Sequence, residues 1–475
     1  MNQNTTRLPL VTRVGYGVAE VGMSAAEVML QLYLFYFYTS AVGLETRLAG
    51  YALGLAVLWD ALVDPIMGAV SDRTPSRWGR RRPYLVVGGI ALAVTTYLLF
   101  SPPQLESQAA KFVYLLLWYA LVNTSMTIIN VPHSALGGEM TFDRNERTEL
   151  FGWRMLFKNV GFLFGAIFPA LVLKWVNDSG GTELNARSYA SVAVAVAILC
   201  SAAMTVLAVG DYDPPYSVRK GKKIGALRQM RRFFLGLWTV ACNPVFAPLL
   251  LAYMVAQLGR TVNASLALHY YKIRLGFSEE DAQFYVIGVL VIVISLSLPV
   301  WVWLSRRFGK KRPAFLGAVV MGALTIVVYP LLPPGNIPAA VIFASVVCGS
   351  LVGSIVLFDS LVADIVDYDE LKSREHREGL YFGCWLMATK VARAIGLACT
   401  GVLMTVIGFD QDAVTHPPEM GFRIALLYGP LVGVCFIAAA IIFLWMPLSG
   451  KRHQRVQDLL RRLQARKAAR AAGQP

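Results

Sequence analysis

Arg77–Pro83 reads RWGRRRP, and Arg307–Pro313 reads RFGKKRP. The two copies stand 230 positions apart, counted from Arg77 to Arg307, in a chain of 475 residues. Gly79 and Gly309 allow a tight bend, and the arginines suit an anionic membrane surface. Pro83 and Pro313 fit the first turn of a following helix, where the missing N–H costs nothing. On either side of both copies the sequence turns apolar for about 20 residues or more, the length that crosses a bilayer. Such runs recur throughout. The predicted spans are 15–41, 48–71, 83–101, 110–137, 149–174, 187–209, 244–271, 282–304, 314–333, 337–363, 379–408 and 421–447. With 56% hydrophobic and 15% charged residues and a mean hydropathy of +0.54, the chain is poorer in charge than a soluble globule, where about a quarter of residues are charged. It is a polytopic membrane protein. No cleavable signal is expected, because Met1–Val14 is polar and the run behind it is too long for a signal core.

A formal net charge of +15 first suggests nucleic acid. The positions of the charges argue otherwise. With both termini on one side, seven cations fall on the opposite side (Arg47, Lys111, Lys174, Arg187, Lys272, Arg274, Arg423). Five more lie within spans (Arg154, Lys158, Arg260, Lys390, Arg393). The remaining 32 of the 44 Lys and Arg share the side of the termini. Loops rich in Lys and Arg stay cytoplasmic, so both termini are expected inside, with the protein multi-pass in the plasma (inner) membrane. No basic–aromatic patch suited to nucleic acid accompanies the charge. The six cysteines, Cys200, Cys242, Cys348, Cys384, Cys399 and Cys435, lie in or at the edges of spans without a CxxC pair, which is packing usage.

Six spans precede residues 210–243 and six follow. The division predicted is an N-terminal six-helix bundle at 1–209, a cytoplasmic linker at 210–243, a C-terminal bundle at 244–447 and a basic tail at 448–475 with an amphipathic stretch on Val456, Leu459, Leu460 and Leu463. Two halves with the same basic turn after their second span fit the parallel repeat of major facilitator transporters, an all-α fold of twelve spans around a central cavity.

Within AVLWDALVDPIMGAV (Ala56–Val70) two carboxylates, Asp60 and Asp64, lie at i and i+4 on one helix face. A charged Asp at the bilayer centre costs about 2.5–3.5 kcal/mol, so such groups face a partner or a wet cavity. Their mutual repulsion is relieved by a cation between them. A coupling-cation site is the reading favoured. The alternative is that Asp64 caps a helix end near Pro65 or pairs with an arginine.

YGVAEVG (Tyr16–Gly22), YFYTSAVGL (Tyr36–Leu44), WDALVDPIMG (Trp59–Gly68), SDRTPSRWGRRRP (Ser71–Pro83), NVPHSAL (Asn130–Leu136) and ADIVDYDELK (Ala363–Lys372) resemble the glycoside–pentoside–hexuronide:cation symporter family. The same stretches are similar to the sodium-dependent lysophosphatidylcholine symporters of that group. The resemblance implies secondary active symport of a small-molecule substrate, with Na+ or H+ as the coupling ion and no other cofactor. It implies Asp60, Asp64 and Thr127 as cation ligands, and Arg154 and Lys390 as membrane-embedded cations beside the substrate. Arg154 has the alternative of snorkelling to the cytoplasm.

Where family members that transport melibiose carry sugar-gripping acids, this chain has Ser24 and Asn130, and Ser134 replaces a tryptophan. Val63 replaces an asparagine between the cation-site acids, and with one neutral oxygen fewer a proton is favoured over sodium. Glu20 and Glu27 share a face of the first span. Arg260 in the seventh awaits either a ligand or a partner such as Glu20 or Glu27. The expected substrate set is Glu20, Ser24, Glu27, Asn130, Ser134, Arg154, Arg260 and Lys390. Three cations against two acids favour a sugar-type substrate with an anionic group, with a lysolipid or other anionic amphiphile as the alternative and a non-transporting receptor as the rival class. Tyr33, Tyr36, Phe37 and Tyr38 are expected to pack. His133 is expected to bond backbone freed by Pro132, and Asp364, Asp367 and Asp369 to pair with the basic turns. Nothing points to an enzyme, and the working unit is expected to be a monomer.

Overall fold

A bilayer offers the backbone no partner but itself, so each apolar run must satisfy its own N–H and C=O groups as a helix. The computed structural model describes residues 8–447, apart from 72–73, 75, 77, 80, 142–143, 181, 211–225, 279–284, 287, 353, 355, 374–376, 411–412 and 414–415. Among the described residues the chain is helical and has no strand. The first half comprises α1 (Leu10–Tyr36), α2 (Thr46–Ser71), α3 (Arg82–Leu99), α4 (Gln108–Glu139), α5 (Arg144–Asp178) and α6 (Glu183–Ala208). After α7 (Ala226–Ala241) the second half comprises α8 (Ala247–His269), α9 (Val289–Phe308), α10 (Lys311–Leu331), α11 (Val356–Ser373), α12 (Glu378–Val406) and α13 (Val432–Leu444). Among the described residues ten helices are long and apolar enough to cross a membrane, and α8 and α9 occupy the two remaining predicted spans.

The internal repeat is visible in backbone detail. Each half's first helix widens into a π-turn, Phe37–Ala41 and Tyr270–Arg274, and stops at a left-handed glycine, Gly43 (φ 70°) and Gly276 (φ 69°). The N–H after each glycine reaches back across the turn, Leu44 to the Tyr38 carbonyl at 2.8 Å and Phe277 to that of Tyr271 at 3.1 Å. The basic turns use the same device: Gly79 has φ 90° and Gly309 φ 79°, conformations that a side chain would strain.

Three expectations need adjustment. The stretch 210–243 is not all linker: α7 occupies its second part, with Leu237 and Val240 buried and Gly236 close against Leu380 of α12. The tenth span is broken into Ile337–Ala340, a π segment Val341–Cys348, a short turn Gly349–Val352 and α11. His133 donates through Nε2 to the Tyr16 carbonyl of α1 at 2.8 Å, rather than bonding backbone near Pro132. The basic tail and its amphipathic stretch lie outside the described residues. Tyr33, Tyr36, Phe37 and Tyr38 are buried in helix packing, and Lys310 pairs with Asp364 at 2.5 Å.

The halves meet most closely at the end opposite the basic turns. A Cβ on Gly50 would stand 2.8 Å from the Leu397 carbonyl and 2.9 Å from the Gly401 Cα, so α2 and α12 cross backbone to backbone. Thr46 and Thr405 share a hydrogen bond of 3.1 Å, Thr39 meets His269 at 3.2 Å, and Lys272 donates to the Tyr36 hydroxyl at 2.5 Å.

Candidate functional site

Helix α2 carries the two acids to the point where that crossing loosens. It is held to α4 by Trp59, whose Nε1 donates to Thr124 Oγ1 at 3.0 Å. Pro65, one position beyond Asp64, has no N–H to offer the Ala61 carbonyl one turn back.

Lys390 of α12 reaches across from the second half. Its ammonium lies 2.7 Å from Asp60 Oδ2 and 2.5 Å from Asp64 Oδ2. On the other edge of the same carboxylates, Thr127 Oγ1 of α4 lies 2.9 Å from Asp60 Oδ1 and 2.7 Å from Asp64 Oδ1. Counted with Lys390 alone, the two acids leave one negative charge in excess, and the Arg393 guanidinium that borders the same cavity attracts Asp60 as well. The cluster is shielded, with side-chain exposures of 12% for Asp60, 30% for Asp64 and 23% for Lys390. Coulombic terms are therefore strong here, and a single further cation would balance them.

Four of the expected substrate residues form a second network, within the first half. Arg154 of α5 donates Nε to Glu20, NH1 to Ser134 Oγ at 3.0 Å and NH2 to Asn130 Oδ1 at 3.1 Å. His133 Nδ1 lies 3.7 Å from the Glu20 carboxylate. Arg154 thus turns inward to three partners, which sets aside the snorkelling alternative.

Between these groups runs a cavity of about 350 Å³ around the acids, bordered also by Asn123, Asn130, Ser134 and Glu27. It continues past Gln31, Gln257, Thr389, Lys390 and Arg393 to Arg260. From Arg260 it opens into an apolar chamber of about 260 Å³ walled mainly by the second half, with Leu290, Ile294, Tyr271, Tyr329 and Tyr428 facing Phe162 of α5. Glu27 accepts from Gln31 at 3.0 Å and lies 3.9 Å from Lys158. The expected pairing of Arg260 with Glu20 or Glu27 is therefore not formed, since both acids have other partners; Asp359 of α11 accepts from Trp385 Nε1 at 2.8 Å. Ser24 is 2% exposed in helix packing and does not border the cavity.

Sequence reasoning passed over Arg393, Asn123 and Asp359. Arg393 stands one turn beyond Lys390 and donates to the Tyr119 hydroxyl at 2.9 Å, joining α12 to α4. The i, i+3 spacing of Lys390 and Arg393 in one apolar span is the signal that could have found it.

A sequence profile of the MFS/sugar transport protein family matches residues 15–450. The chain is 26% identical over 479 residues to the putative glycoside/cation symporter YagG of Escherichia coli (strain K12), covering 99% of this chain and 98% of that protein. It is 22% identical over 492 residues to the sodium-dependent lysophosphatidylcholine symporter 1-B of Danio rerio, covering 97% and 91%. Among solved structures, a bacterial homolog to the human lysosomal transporter Spinster, inward-facing and unoccupied, aligns with a TM-score of 0.66 at 15% identity over 93% of this chain and 98% of that one. At that identity the likeness speaks for the fold alone. These relatives are transporters, not enzymes, and the symporter resemblance read from the motifs is met by the family match. The chain belongs to the MFS/sugar transport protein family.

Proposed function

We propose that the chain is a cation-coupled symporter that moves a sugar-type substrate carrying an anionic group by alternating access of its two halves. One observation carries the reading: Lys390 of the second half rests on Asp60 and Asp64 of the first, with Thr127 on their other edge. A receptor or scaffold has no use for three charged groups at this depth, each of which costs insertion energy. In a symporter the cluster has a task. A bound Na+ or H+ satisfies the excess negative charge, frees part of the Lys390 ammonium for the substrate and loosens a tie between the halves. Cation and substrate then raise each other's affinity by one common factor.

The substrate reading rests on the cavity walls. Gln31, Gln257, Asn130 and Thr389 offer the mixed donors and acceptors that hydroxyl groups need, while Arg260 and Arg393 add positive charge beyond the Lys390 cluster. A second reading, a lysolipid or other anionic amphiphile, is favoured by the apolar chamber that begins at Arg260. With the halves joined away from the basic turns and those turns cytoplasmic, the cavity faces inward. Each chain encloses a complete cavity, so a monomer suffices, in the plasma (inner) membrane.

The test is uptake into proteoliposomes of hexuronides, neutral glycosides and lysophospholipids, with and without sodium and across pH. Arg260→Ala should weaken an anionic substrate at least tenfold more than its neutral analogue. Equal losses, or tight binding of a plain neutral disaccharide by the unaltered protein, would remove the anionic group from the proposal.

A further inference from the structure

We infer that Asn123 is a ligand of the coupling cation and that it makes the site one for sodium rather than for a proton. The inference rests on the reading of Asp60 and Asp64 as the cation site. Between those two acids the α2 helix places Val63, which offers no oxygen. On the facing helix, Asn123 precedes Thr127 by four residues, so both side chains share one face of α4 about 6 Å apart along its axis. Both border the same cavity as the acids.

Asn123 is an odd residue to find there. It is 4% exposed, and its Nδ2 is enclosed without a hydrogen-bond partner among the described residues. A buried polar group left unpaired costs about 1–3 kcal/mol. Thr124 and Ser125 beside it each bond a carbonyl one turn back, at 2.8 Å in both cases. The unpaired end is the amino end, and half a turn about the last side-chain bond exchanges Nδ2 for Oδ1, which brings the amide oxygen of Asn123 toward the cavity that it shares with the two acids. Its neutral oxygen adds to two carboxylates and one hydroxyl. A proton needs only one carboxylate oxygen and gains nothing from an amide. A hard cation takes several oxygens at once, and carboxylates with amide carbonyls are its usual donors.

The test uses the purified full chain and reads two quantities, the sodium-dependent rise in unfolding temperature and the unfolding temperature without sodium. Asn123→Ala should weaken apparent sodium affinity tenfold or more while leaving the sodium-free unfolding temperature unchanged or higher, because an unpaired buried group has been removed. Asn123→Asp should restore sodium binding more than Asn123→Ala does. A purely structural Asn123 predicts the reverse: a lower sodium-free unfolding temperature with sodium affinity untouched, and that result overturns the inference. So does an unaltered protein that ignores sodium and responds only to pH. Asp64→Asn serves as the control for the underlying reading. If sodium affinity survives Asp64→Asn, the acids are not the site and both readings fall; if it is lost there but kept in Asn123→Ala, only this inference falls.

Discussion

Lys390→Ala separates an ammonium that stands in for a cation from one that merely props two helices together. The substitution leaves Asp60 and Asp64 one turn apart with only the Thr127 hydroxyl between them. Removing one partner of a fully buried ion pair costs about 3–5 kcal/mol. Here Asp64 keeps 30% of its side-chain exposure and Asp60 12%, so solvent screens part of the repulsion and the loss should be about 2–3 kcal/mol. A cation bound at a hundred times its dissociation constant returns about 2.7 kcal/mol. The deficit of Lys390→Ala in sodium-free buffer should therefore close almost entirely at saturating sodium, and the sodium-dependent shift in unfolding temperature should exceed that of the unaltered protein. Differential scanning fluorimetry in detergent, from zero to several hundred millimolar sodium against potassium, reads both quantities. A deficit of the same size at every sodium concentration would refute the reasoning, because Lys390 would then be a strut and nothing more.

Arg154→Ala should destabilise the protein by about 3–5 kcal/mol by stranding Glu20, whose side chain is only 5% exposed. The double variant with Glu20→Ala should recover much of that loss by thermal unfolding; no recovery would mean that Arg154 acts outside this pair. Gly401→Val should force α12 away from Thr46 and Gly50, since even a Cβ collides with backbone there. The seal opposite the basic turns should then fail, so cysteines introduced beside Gly54 should label from that side and uptake should fall at least tenfold. Unchanged labelling would place the seal elsewhere.

Much of this is legible in the sequence. The apolar runs, the paired basic turns and the buried acids are one-dimensional signals, and in lipid each apolar run has little choice but a helix. An ammonium in an apolar span needs an anionic partner, and Asp60 or Asp64 could supply it to Lys390. What stayed hidden was direction. A span in lipid is apolar on its outer face and largely apolar on its packed face, so hydropathy does not say which way Glu20, Ser24 or Arg260 turns. Ser24 was therefore placed in the cavity, although it is buried in packing, and Arg260 was given Glu20 or Glu27, both of which have other partners. Asn123 and Arg393 were missed for the same reason. The π segments escaped too, because Val341–Cys348 is as apolar as any regular turn.

The most direct measurement is the sodium- or proton-driven accumulation of substrate in proteoliposomes by Asp60→Asn and Asp64→Asn, beside facilitated equilibration of the same substrate down its own gradient. Both variants should fold and insert, and neither should concentrate substrate, since each removes one of the two charges that Lys390 and the coupling cation share. Accumulation by either variant at the level of the unaltered protein would contradict the assignment of these acids as the coupling site.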